Sequence, residues 1–464
     1  MRGLIVSTVL LTAGALSGCG VGLTALAPPA TGPSAGLSVG DRRAEAPAQA
    51  SPSPLPTEAT LADYLEYAAV HSPALEAAFN RWRAAAEGPV QAGALPDPKL
   101  TYKRYIQEVE TRAGPQRNAL QIAQTFPWFG KLDLAERAAD QAAQAARQRY
   151  EAEKLALFQR VKDAYYEYYY LAQAIGIADE NVTLLTNLEK VVRIRYAAAT
   201  AGHPDLIRLQ VELGKVADHL RSLKDTRAPA MARLTAATGV PAGTDLPAPK
   251  EVRTPSPDLD DQTLIALAQA HNPLLKADQA EIERRQTQVD LARKAYWPDV
   301  TLGVTWIDTS HSVGGMPIDD GKDPVIAMLS VNLPIWRDKL AAGVRQSRYR
   351  KLAAVKARAD RADKLAAAVS QTAFQARDAR AKVDLYERLL VPRATESLKV
   401  TTTAFGAGKA TFSDLIDAQR VLLEFRLTQQ RAVADHGKNL AVLERLIGRT
   451  LPEAPGPPNN GEQP

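Results

Sequence analysis

The 464-residue chain reads as a mainly α-helical protein with a small β part, in which one arrangement of elements occurs twice. Three observations predict this. A seven-residue apolar repeat runs through a long proline-free stretch, residues 131–200. Two pairs of short segments alternate apolar with polar residues. A set of landmarks recurs about 200 residues further on. His71-Ser72-Pro73-Ala74-Leu75 returns as His271-Asn272-Pro273-Leu274-Leu275, and Leu95-Pro96-Asp97 as Trp297-Pro298-Asp299. Phe126-Pro127-Trp128 returns as Leu333-Pro334-Ile335-Trp336. Tyr196, Asp205, Leu206, Gln210 and Gly239 return as Phe405, Asp414, Leu415, Gln419 and Gly448 at one constant offset. Chance matching rarely keeps an offset, so the chain is a tandem duplication.

The elements follow in order. Met1-Arg2 and a short apolar run from Leu4 to Leu16 predict a signal peptide (1–18), too short to span a bilayer. Leu16-Ser17-Gly18-Cys19 resembles the lipobox of bacterial lipoproteins, which implies lipidation of Cys19, the one cysteine of the chain. Gly20 stands where an inner-membrane retention aspartate would be, and the expected destination is the outer membrane. Residues 19–57, rich in Pro, Ala, Gly and Ser, read as a flexible lipidated tether.

Repeat 1 covers 58–240. Thr60 is placed to cap a helix running to about Gly93. A β-hairpin follows at 98–126 with Arg104 in register with Leu100, Tyr102 and Ile106. The long helix, 131–200, carries Leu157, Val161, Ala164, Tyr168, Leu171, Ile175, Ala178, Val182 and Leu185 at alternating spacings of four and three, the seam of a coiled coil. Glu189 interrupts the seam, and Val192 and Tyr196 resume it. Gly202-His203-Pro204 ends the helix, and Asp205 is placed to cap the next, 205–239. A proline-rich linker fills 241–258. Repeat 2, 259–449, has a helix, a hairpin at 298–334, a long helix at 338–405 and a helix at 413–447; 450–464 reads as a disordered tail. At 1.5 Å per residue the long helix spans roughly 100 Å, and two short helices end to end match it. The prediction is a rod with strands at one end.

The second hairpin places Val300, Leu302, Val304 and Trp306 on one face, joined by Leu329 and Val331 from its return strand. Four strands with one apolar face cannot enter a bilayer as an open sheet, because unpaired edge groups cost several kcal/mol each in hydrocarbon. A closed barrel needs about eight strands or more, so several copies of the chain must contribute; the residues leave two, three or four open. The competing reading is a lipid-anchored periplasmic coiled-coil scaffold or adaptor without a pore, its hairpins forming a soluble sheet.

Catalysis finds no support. The six histidines are scattered without paired metal-ligand spacing, and no phosphate loop or nucleophile elbow is present, so neither cofactor nor metal is expected. A net charge of +5 without a basic stripe gives no reason to expect nucleic acid. The cluster Tyr165, Tyr166, Tyr168, Tyr169 and Tyr170 reads as inter-helix packing.

The duplicated order of helix, hairpin, long helix and helix, with its two His-x-Pro starts, resembles the TolC-like outer-membrane efflux channels of tripartite RND-type systems. The junction Gln124-Thr125-Phe126-Pro127-Trp128-Phe129-Gly130-Lys131-Leu132 looks like the form found in the heavy-metal (CzcC/CusC) branch, which often carries proline at the position of Phe129. The resemblance implies a homotrimer, twelve strands in one transmembrane β-barrel, and an α-barrel of coiled-coil hairpins reaching into the periplasm. It further implies a periplasmic adaptor and an inner-membrane pump as partners, with passive transport through the channel itself. By the same resemblance Phe405–Ala418 matches the inner helix tip, and Asp414 and Asp417 would ring a periplasmic aperture. Local chemistry offers another role for both, Asp414 as a helix N-cap and Asp417 as a first-turn acid. Ala410 replaces an arginine that locks the tip in the best-known relatives, so the closing contacts must differ. Gly202, His203 and Pro204 on one tip, and Gly406, Gly408 and Lys409 on the other, are the candidates for adaptor contact.

Overall fold

The computed structural model describes residues 59–198, 202–241, 243–249, 260–312 and 318–451, with Pro56, Val252 and Gly314 besides. Cys19, the tether apart from Pro56, residues 199–201 of the tip and the tail beyond 451 lie outside the described residues.

Thr60 closes a reciprocal capping box with Asp63 and starts α1 (Leu61–His71). The single helix expected up to Gly93 is instead three: α1, α2 (Pro73–Ala86) and α3 (Gly88–Gly93). Pro73 cannot continue a helix. Ser72 therefore turns to an extended conformation, ends α1, and caps α2 through its hydroxyl. The second copy breaks at the matching place, between α6 (Asp261–His271) and α7 (Pro273–Lys294), with Asn272 as the cap.

The long helix of repeat 1 is α4 (Lys131–Ala197), unbroken over 67 residues. It is followed by α5 (His203–Thr238), whose cap is Gly202 and not Asp205. Pro204 fixes the first turn one residue before Asp205, which leaves the aspartate inside the helix with its amide bonded to Gly202 O at 3.2 Å. The long helix of repeat 2 also departs from expectation. It runs as α8 (Arg337–Leu385), a π turn (Tyr386–Leu390) and α9 (Val391–Gly406), with Pro392 interrupting the single helix expected over 338–405. The chain closes with α10 (Phe412–Ile447).

β1 (Lys99–Val109), β2 (Gln116–Phe126), β3 (Val300–Thr309) and β4 (Val325–Val331) form one antiparallel sheet in that order. The central β2–β3 pair joins the repeats, with Ile122 opposite Val304. Helices echo this order, α4 lying against α3, α7, α5 and α10.

Burial follows the seven-residue seam. Leu157, Val161, Tyr168, Leu171, Ala178, Leu185 and Val192 are all buried on α4. The tyrosine cluster belongs to this packing. Tyr165, Tyr166 and Tyr168 join Tyr64, Leu234 and Leu246 in one core, and the Tyr168 hydroxyl donates to Leu246 O at 3.0 Å. A second core unites α6, α8 and α10 through Leu264, Val369 and Ile447. A third lies at the helix tips, where Leu185, Val192, Leu209 and Val216 meet Phe412 and Ile416.

The repeated landmarks touch in both copies, which gives them a physical reason. Gly239 and Gly448 end α5 and α10 in the left-handed region, at φ 80° and 91°. A side chain on Gly239 would meet His71 O at 2.9 Å, and one on Gly448 would meet His271 O at 2.6 Å. α10 crosses α4 closely at Gly437, where a Cβ would stand 2.5 Å from the Tyr166 ring. Around this crossing Tyr169 donates to Gln430, Arg431 and Lys438 to Glu167, and Lys162 to Glu444.

Candidate functional site: the exposed strand face and the helix tips

Register places the sequence-predicted strand residues in rows across the sheet. Leu100, Ile122, Val304 and Ala327 form one row; Tyr102, Leu120, Trp306 and Val325 form the next. Leu302 pairs with Leu329, and Val300 lies between Phe126 and Val331. Because residues directly opposite share a face, these belong to one surface. It is exposed: Leu302, Val304 and Trp306 are 50%, 48% and 42% accessible, and Leu329 68%. A contiguous apolar band of this kind does not face water without cause.

The row beyond it is polar, Arg104 opposite Asn118 and Asn118 opposite Asp308. Asn118 accepts from the Tyr102 hydroxyl at 2.6 Å and donates to Asp308 at 2.7 Å. Arg104 thus keeps the register read from the sequence with Leu100 and Tyr102. The other face carries Thr101, Gln121 and Thr305 in one row and Thr125, Thr301 and Ser330 in another. β1 and β4 are the sheet's two edges. Among the described residues no helix is long and apolar enough to cross a membrane.

At the other end of the helices the tips come together. Gly202 caps α5, and His203 lies 5.5 Å from the Tyr196 ring. Gly406 ends α9, Gly408 takes φ 72°, and Lys409 follows it on the exposed turn. The cap of α10 is Thr411, not Asp414. Asp414 is the third residue of a capping box, its carboxylate accepting from the Thr411 hydroxyl at 2.7 Å and amide at 2.8 Å. Those bonds, the hydroxyl's first, hold the Asp414 carboxyl below its ordinary value. Asp417 is exposed one turn further on, with Arg420 at 3.4 Å.

Three arginines, which the sequence reading did not single out, join the two tips within one chain. Arg195 on α4 donates to Phe405 O at 3.1 Å and Gly406 O at 2.8 Å, and lies 4.7 Å from the Phe405 ring centre. Arg208 on α5 donates to Ser413 at 2.9 Å. Arg420 donates to Glu212 on α5 at 2.5 Å. The repeated glutamines also serve here: Gln210 donates to Glu189 at 3.3 Å, and Gln419 to the buried Asn181 at 3.1 Å. The signal available was Glu189 and Asn181, polar groups on an otherwise apolar helix side. Among the described residues no three His, Cys, Asp or Glu side chains converge as a metal site.

The chain thus carries an exposed apolar strand face at one end of a duplicated set of helices and arginine-tied tips at the other. The model of the outer membrane efflux protein family matches the chain twice, over residues 65–240 and 264–449, once per repeat. The chain belongs to that family. It is 22% identical to the cobalt-zinc-cadmium resistance protein CzcC of Cupriavidus metallidurans over 398 residues, 84% of this chain and 90% of the relative. Among solved structures it is similar to the outer membrane protein VceC of Vibrio cholerae, with TM-score 0.70 and 19% identity over 84% of this chain and 96% of that one. It is also similar to CusC, with TM-score 0.72 and 15% identity over 84% and 92%. This is an outer-membrane efflux channel. The scaffold reading falls with that assignment.

Proposed function

We propose that three copies of the chain close a twelve-stranded barrel, β4 of each copy pairing with β1 of the next. The observation that carries this is the pair of open edges flanking a continuous apolar band. In hydrocarbon those edges must be paired. The coiled-coil hairpins then form a tunnel whose narrow end is lined by Asp414 and Asp417, six carboxylates in all. Close carboxylates on a symmetry axis favour cations and respond to divalent ions. The tips at Gly202, His203, Pro204, Gly406, Gly408 and Lys409 meet a periplasmic adaptor, and an inner-membrane RND-type pump supplies the energy. Cys19 carries the lipid anchor; a mature chain lacking the acyl mass at its N-terminus would contradict this.

Heavy-metal cations are the proposed cargo, on the likeness to a cobalt-zinc-cadmium resistance protein and on the acidic tip. The test has two arms. Detergent-solubilised protein should run as heat-resistant trimers; a dimer or a monomer contradicts the barrel. Cells lacking the chain should lose tolerance to cobalt, zinc or cadmium; loss of drug tolerance alone moves the cargo to organic molecules.

A further inference from the structure

Where the helices meet the sheet, the start of α4 packs beside the end of α7, and a cleft of about 470 Å³ lies between them. α4 lines it with Leu134 and Arg137. α7 lines it with Arg293 and Lys294 and, just past its end, Trp297. Three cations thus face one small space. Arg137 gives one bond to Asp133 at 2.8 Å and Arg293 one to Asp290 at 3.0 Å. A guanidinium has five N–H groups, so most of each remains for another acceptor. Both arginines are more than half exposed, and such pairs rearrange at little cost. Among the described residues Lys294 meets no carboxylate; its ammonium donates to Phe129 O at 3.3 Å. The cleft therefore holds one cation beyond its two aspartates.

The rest of the wall is apolar. Trp297 stacks on Trp128 with 5.1 Å between centres, Phe129 meets Trp128 edge-on, and Trp297 and Phe129 stay exposed. Phe126 and Val300, paired at the start of the apolar strand rows, lie three residues away along the chain. The fold itself does not require the cations. Trp297 stands 202 residues after Leu95, and at that offset Arg293 and Lys294 answer to Gln91 and Ala92. Both copies end a helix here and enter a strand, yet only the second is basic.

We propose that this cleft binds the phosphate of an anionic phospholipid from the leaflet on the helix side. Arg137, Arg293 and Lys294 hold the phosphate, while Trp297 and Phe129 lie along the glycerol and the first acyl carbons. A phosphodiester carries one negative charge, which matches the one uncompensated cation, and basic clefts between helices at a membrane boundary suit such headgroups. The site rests on the reading that the apolar strand face lies in lipid.

Native mass spectrometry of oligomers taken from vesicles of equal parts phosphatidylethanolamine and phosphatidylglycerol tests it. The wild type should retain phosphatidylglycerol, bound without a covalent link, in preference to phosphatidylethanolamine. Arg293→Gln combined with Lys294→Gln should still assemble and should lower that retention at least about tenfold. Arg345→Gln, exposed on α8 outside the cleft, should leave it unchanged. Equal retention in the double variant, an equal loss in Arg345→Gln, or no preference in the wild type refutes the site. Oligomers that keep no lipid but bind inorganic phosphate, and lose it in the double variant, refute the lipid and leave free phosphate as the ligand. Should the double variant fail to assemble, Lys294→Gln alone decides. A wild type that does not insert into the vesicles overturns the strand-face reading, and the site with it.

Discussion

Replacing Arg420 by alanine should open the channel. Its guanidinium donates to Glu212 at 2.5 Å and stands 3.4 Å from Asp417, so it joins α10 to α5 while offsetting one charge of the proposed aperture. The Glu212 side chain is 10% exposed and Arg420 50%. A hydrogen bond between charged groups contributes about 1.5–3 kcal/mol when sheltered. Half-exposure of the arginine reduces this to roughly 1–2 kcal/mol per chain. Any opening that parts α10 from α5 breaks the bond in every copy. In the proposed trimer three copies moving together lose roughly 3–6 kcal/mol, on the order of 10²- to 10⁴-fold in the open-to-closed ratio. Single-channel recording at fixed voltage measures that ratio directly. Arg426→Ala is the control, since its partner Glu180 is 65% exposed and lies further from the tip; it should change the ratio by about twofold or less. An Arg420→Ala channel with wild-type open probability would refute the reasoning.

Further expectations concern packing, lipid and pH. Gly437→Ala pushes a methyl into the Tyr166 ring, and should lower trimer stability by about 1–3 kcal/mol despite the better helix propensity of alanine; a raised heat-dissociation temperature contradicts it. Leu302→Arg places a charge in the apolar band and should cost about 2–4 kcal/mol, seen as loss of heat-resistant oligomer, whereas Thr305→Arg on the other face should be tolerated. Equal effects at both positions would contradict the proposed lipid face. Glu212 titrates below its ordinary 4.5, foremost through its bond with Arg420. A depressed carboxylate contributes stability above its unfolded value and loses it as pH falls through its folded one. The Arg420→Ala effect should therefore persist from neutral pH to about 5 and fade below about 4.

Much of this was legible because periodicity is a strong signal. Alternation at Val300–Trp306 specifies a strand face, and the seam from Leu157 to Leu185 specifies a helix pair. The breaks were not. Pro73 and Pro273 sit inside matched motifs that look helical on both sides, and only the Ser72 and Asn272 cap bonds show the chain restarting there. Pro392 was passed over inside a stretch read as one helix, 338–405. The arginine ties were also invisible, because Arg195, Arg208 and Arg420 lie far from their partners in sequence, and only the juxtaposed tips bring them together. Thr411 rather than Asp414 as the cap was readable in principle, since Thr-x-x-Asp precedes an apolar run much as a capping box does.

Conductance of the purified protein in planar bilayers, with and without Asp414→Ala combined with Asp417→Ala, tests the central claim most directly. The account predicts small, cation-selective, divalent-blocked openings in the wild type and loss of that block in the double variant. Failure of the wild type to conduct under any condition, or a block unchanged in the variant, would contradict it.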